Sequence, residues 1–160
     1  MKKNSIKILN QEITVKKIRE VIGKASKVNW GTHLVRWRYD DVEHQSINYK
    51  KGSLIPTDKW HLLKRIYIDR DWPDDTTIEK LNEDAKKVIL DNSSEIWVYG
   101  YYRTSPPRIQ WGFYSKDSGI AVVYDEEADL IATVFKPIEG SKFFAVQISA
   151  QQINRKKWGV

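Results

Sequence analysis

The chain has 160 residues, 41% of them apolar, no cysteine, and a formal charge of +6 at neutral pH. That length suits one domain, the apolar content is enough for a core, and the missing cysteines exclude disulfides and thiolate metal sites. No apolar run reaches the roughly 18 residues of a membrane-spanning helix. Polar Asn4 and Ser5 and then Lys7 follow Met1-Lys2-Lys3, which is not the apolar start of a secretory signal. The expectation is a cytoplasmic protein, or one delivered into a target cell's cytoplasm, with no membrane partner.

The charge is unevenly placed. Residues 1–70 hold 16 Lys/Arg against 7 Asp/Glu, whereas residues 71–160 hold 11 against 14. A basic first half beside an acidic stretch predicts a polarised surface that attracts a polyanion, RNA above all.

In chain order, Ile13, Ile18, Val21 and Ile22 lie near helical spacing, which predicts a helix over 11–22 capped by Asn10 and stopped by Gly23. Residues 32–39 read as a strand and 40–58 as a polar loop. Asp58 to Asp69 fits a helix or a strand. Thr76 and Glu79 form a capping box ahead of Ile78, Leu81, Ala85, Val88 and Ile89, the apolar face of a second helix. From Glu95 the period becomes two. Ile96–Arg103, Ile109–Ser115, Gly119–Asp125, Leu130–Lys136 and Phe143–Ser149 are five predicted strands joined by short turns, hence antiparallel. The fold class is α+β, with N-terminal helices packed on one face of a twisted antiparallel meander of about five strands. Residues 1–160 form one domain, with 1–10 and 151–160 as frayed ends.

Two regions carry candidate chemistry. In the segment 31–39, His33 is a natural acid or base near neutral pH, Arg36 and Arg38 suit a phosphate, and Trp37 and Tyr39 suit a base. An extended backbone places His33 and Arg36 on opposite faces, so one site there requires a bend. On the meander, Arg103, Tyr114, Ser115, Thr133 and Lys136 lie at or near strand ends. Tyr99, Tyr101, Tyr102, Trp111 and Tyr114 exceed what a small core requires and would stack on bases if exposed. The histidines at 33, 44 and 61 have no metal-ligand spacing, and no metal or cofactor is expected.

The strings Trp111-Gly112-Phe113-Tyr114-Ser115, Gly119-Ile120-Ala121-Val122-Val123-Tyr124-Asp125 and Leu130-Ile131-Ala132-Thr133-Val134-Phe135-Lys136-Pro137 are similar to the terminal strands of colicin-D-like and phage-associated ribonucleases. His33-Leu34-Val35 with Trp37 is similar to their His-bearing strand. Over residues 28–140 the order of elements resembles the barnase–EndoU–colicin D–RelE group of small ribonuclease toxins. One departure is Arg36-Trp37-Arg38, where many phage-type members carry a second His or an Arg-His pair, which leaves the catalytic acid open. The resemblance implies metal-independent RNA cleavage, with tRNA among the substrates it admits, by 2′-hydroxyl attack to a 2′,3′-cyclic phosphate. It implies roles for His33 as acid or base, Arg36 or Arg103 as phosphate clamp, Thr133 or Ser115 as donor and Lys136 as a further cation, with an acidic immunity protein or antitoxin as partner. A non-catalytic RNA- or DNA-binding module and a protein-interaction domain are the alternatives.

Overall fold

A computed structural model describes residues 5–30, 34–36 and 54–160, with the backbone alone described at 34–36 and 57. The chain opens with a hairpin, β1 (Ser5–Ile8), where a frayed end was expected, and β2 (Gln11–Thr14), where the start of a helix was expected. Leu9 and Asn10 both have positive φ, the two-residue turn whose twist matches paired strands. Ile13 therefore belongs to a strand. Thr14, not Asn10, caps α1 (Val15–Ala25) by accepting a hydrogen bond from the Lys17 amide. Gly23 lies inside that helix, which ends at Ser26. Ile18, Val21 and Ala25 form its buried face.

The strand expected over 32–39 is described only as β3 (Leu34–Arg36), paired antiparallel with β4 (Leu54–Pro56). The end of the expected 40–58 loop is thus strand, and the rest of that loop lies outside the described residues. The ambiguous stretch is helical: α2 (Thr57–Leu63) runs into a π-helical turn, Lys64–Ile68. The next helix, α3 (Ile78–Leu90), buries the expected Leu81, Ala85, Val88 and Ile89. Its cap is Thr77, one residue later than the capping box implied, and it accepts from the Lys80 amide. Among the described residues no helix is long and apolar enough to cross a membrane.

Four strands follow as a meander: β5 (Glu95–Tyr101), β6 (Arg108–Tyr114), β7 (Ala121–Asp125) and β8 (Leu130–Phe135). The fifth strand differs from expectation. Phe143–Ser149 is not one strand, because Lys142–Ala145 forms a helical turn, α4, and β9 covers Ile148–Ile153. The chain then crosses to the far edge, giving the antiparallel order β8-β7-β6-β5-β9. The C-terminus is anchored where fraying was expected: α5 (Arg155–Trp158) buries Trp158, and Arg155 donates to the carbonyls of Asp91 and Ser94.

The period of two divides this sheet into two faces. Ile96, Val98, Ile109, Trp111, Phe113, Val122, Tyr124, Ile131 and Val134 form one core with the buried faces of α1 and α3. Thus α1 and α3 pack on one face of a five-stranded antiparallel sheet, an α+β architecture. The opposite face carries Tyr99, Ala121 and Val123 under Phe144 of α4. Gly112 makes that seat: a Cβ there would lie 2.2 Å from the Phe144 ring. Gly112→Ala is therefore expected to lower stability by about 1–3 kcal/mol in urea unfolding, the usual penalty of overpacking. An unchanged midpoint would mean that α4 is not seated on the sheet.

Candidate functional site

Where α4 leaves the second face uncovered, a cleft of about 980 Å³ opens. Its floor is the sheet, with Tyr99, Gln110, Val123 and Thr133. One wall is the helical segment, through His61, Lys64 and Arg65, and the rim includes Arg103 and Lys136.

Arg65 organises the wall. It is 4% exposed, and burial alone would lower the guanidinium pKa, which the neighbouring carboxylates of Asp69 and Asp71 oppose. Its Nε donates to the Val134 carbonyl at 2.6 Å and its Nη1 to Asp69 at 2.6 Å, while its Nη2 donates to the Thr133 hydroxyl. The guanidinium carbon also lies 5.3 Å from the centre of the Phe135 ring. A planar fork spreads its donors over three nitrogens and so reaches acceptors on separate elements, whereas the three donors of a lysine share one nitrogen. Because Thr133 Oγ1 accepts from Arg65, its own proton stays available to donate into the cleft.

Lys136 is positioned from two sides. Its backbone amide donates to Asp71 at 2.9 Å, and its ammonium lies 5.1 Å from the centre of the Trp72 ring. Arg103 is exposed in the β5–β6 connection, and neither it nor Lys64 has an ion-pair partner among the described residues. His61 comes from α2, its ring stacked on Trp30 with centroids 5.3 Å apart. Asp69, Asp71 and Glu139 also line the cleft, so its charge is mixed, with Arg103 and Lys136 as its exposed cations.

The sequence-derived candidates separate into three groups. Arg103, Thr133 and Lys136 come together in the cleft. Tyr114 and Ser115 are not among its lining residues. Ser115 is buried in the β6–β7 turn, where its hydroxyl accepts from the Ser118 amide, and the Tyr114 hydroxyl approaches Gly140. His33, Trp37 and Arg38 lie outside the described residues, and Arg36 is described by its backbone in β3 alone. Of the surplus aromatics, Tyr99 and Trp111 are buried, while Tyr101 and Tyr102 line the cleft with less burial. His61, Lys64, Arg65 and Gln110 were not singled out by sequence. Had 58–69 been assigned as helix, the spacing of His61, Lys64 and Arg65 would have placed them on one face.

Asp71 offers a test of the wall's electrostatics. Burial raises its carboxyl pKa above the ordinary carboxylate value, with the Lys136 amide bond pulling the other way. A carboxyl that holds its proton more tightly folded than unfolded costs stability as pH rises through its titration, and costs nothing below it. Asp71→Asn keeps an acceptor for the Lys136 amide. It should therefore raise the urea midpoint at pH 7 and lose that gain near pH 3; a lower midpoint at pH 7 would contradict this.

No family model, curated protein or solved structure matches the chain, so its own residues carry the functional reading.

Proposed function

We propose that the cleft on the open face of the sheet binds RNA and cleaves it without a metal, by attack of a 2′-hydroxyl on the adjacent phosphate. The observation that carries this reading is the meeting of Arg103, Thr133 and Lys136 in one cleft with His61, Lys64 and Arg65. The reaction needs one group to take the 2′-hydroxyl proton, another to protonate the departing 5′-oxygen, and donors for the charge gathering on phosphorus. The products are a 2′,3′-cyclic phosphate and a 5′-hydroxyl. His61 is the described imidazole in the cleft and is assigned one of the two proton transfers. Lys136 and Arg103 hold the phosphate, and the Thr133 hydroxyl donates to one of its oxygens. Arg65 acts through Thr133 as a positioning residue. Tyr101 and Tyr102 offer rings for base stacking. A nuclease of this kind calls for a neutralising partner, and an acidic immunity protein or antitoxin would meet the cations at the cleft mouth.

The stacking of His61 on buried Trp30 favours a second reading, in which the ring is structural and the cleft binds RNA without cutting it. Cleavage of total RNA in excess EDTA separates the two. The first reading expects fragments ending in cyclic phosphate, with rates lower by about 100-fold or more in His61→Gln. Retained cleavage in that variant, lost instead in His33→Gln, would move the proton transfer to His33. Intact RNA with salt-sensitive binding would establish the second reading, and Arg103→Ala should then reduce the salt slope by about 1. No affinity at moderate salt would overturn both.

A further inference from the structure

The cleft floor holds a polar group that phosphate binding does not use. Gln110 is on β6 with its side chain on the open face, between Tyr99 of β5 and Asp125 of β7 in the sheet register. It is 6% exposed and lines the cleft. Its Oε1 accepts from the Tyr99 hydroxyl at 3.2 Å. Asp125 is engaged elsewhere, by Arg108 and by the Ala128 amide. Among the described residues the Gln110 amide NH2 makes no hydrogen bond to protein, and it is not one of the fully buried polar atoms left without a partner, so it opens into the cleft. A donor open at the floor of a cleft can exchange its water for a ligand acceptor.

The amide orientation follows from hydrogen-bond accounting. With Oε1 toward Tyr99, the hydroxyl proton and the amide oxygen are both satisfied, and only the NH2 is left over. With the amide reversed, the tyrosine proton, the oxygen and one N–H would all lack partners. Burial also raises the Tyr99 pKa, keeping the hydroxyl protonated and able to donate. The group presented to the cleft is accordingly a pair of N–H donors, with the oxygen held back.

We propose that Gln110 is a specificity-determining residue of the cleft, whose amide NH2 reads a nucleobase edge carrying two neighbouring acceptors. This rests on the reading of the cleft as an RNA site. Cytosine offers O2 beside N3, and guanine offers O6 beside N7. Uracil and adenine place an N–H donor beside the acceptor on the corresponding edges, which opposes one of the two amide protons. Tyr101 and Phe143, both half-buried in the cleft lining, supply rings for the base that reaches the floor. The phosphate remains near the mouth, where Arg103 and Lys136 lie.

The test compares oligocytidine with oligouridine of equal length, by fluorescence anisotropy at pH 7.5 and fixed salt. The wild type should favour oligocytidine by about tenfold. Gln110→Met, which keeps the side-chain length without the amide, should bind both oligomers as the wild type binds oligouridine. Tyr99→Phe, which releases the amide oxygen, should narrow the preference as well, and it keeps the question answerable if Gln110→Met fails to fold. A wild type that binds both equally, or a preference that persists in both folded variants, overturns this inference and leaves the RNA reading in place. A wild type that binds neither oligomer overturns the RNA reading and this inference with it.

Discussion

The buried guanidinium of Arg65 joins the two parts from which the cleft is made. β8 is an edge strand, and the Val134 carbonyl needs a donor that no neighbouring strand supplies on that side. Arg65 provides one from the π-helical turn while its other nitrogens hold Thr133 and Asp69. Burying a cation in this way is costly unless its donors are engaged, and here Nε, Nη1 and Nη2 all find acceptors. The helical segment is thereby fixed against the sheet edge, with His61 and Lys64 beside the floor. Removing the fork would unpair the wall and release the Thr133 hydroxyl together.

The second constraint is the alternation of the sheet. One set of side chains builds a dry core under α1 and α3, so the other set must be covered or exposed. The chain covers only part of it. Phe144 descends onto Gly112, where no side chain competes, and α4 stops there. The remaining floor keeps polar groups, Gln110 and Thr133, that a fully covered sheet would replace with apolar ones. Three of the exposed large apolar side chains, Tyr102, Ile138 and Ile148, line this opening. The cleft therefore combines a polar floor, cations toward the mouth and an apolar border, a mixture suited to a ligand with both rings and charges.

Legibility from sequence followed the strength of each local signal. α3 was legible because Leu81, Ala85, Val88 and Ile89 repeat at helical spacing behind a threonine cap, and β5 to β8 because period two persists between clear turns. β1 and β2 were hidden by Leu9, which adopts positive φ without being a turn-forming residue, so Ile13 was drawn into the helix that follows. Phe143-Phe144-Ala145-Val146 is apolar enough for a strand, and only tertiary packing against Gly112 makes part of it helical. In the site, Arg103, Thr133 and Lys136 were visible as polar residues at strand ends that topology brings to one place. Arg65 and His61 were not, since the segment holding them suited either period. Gln110 carried no signal, because a polar residue within an alternating strand reads as ordinary surface until α4 and the helical wall enclose it.

The proposed RNA site competes with two other basic surfaces, α1 with Lys16 and Lys17 and the C-terminal Arg155-Lys156-Lys157. Ultraviolet cross-linking of bound RNA, read by mass spectrometry of the linked peptides, decides this directly. With RNA in the cleft, cross-links are expected at Tyr101, Tyr102 or Phe143, abolished by competing unlabelled RNA. Cross-links confined to α1 or to residues 155–158 would contradict it and leave the cleft without a role in RNA binding.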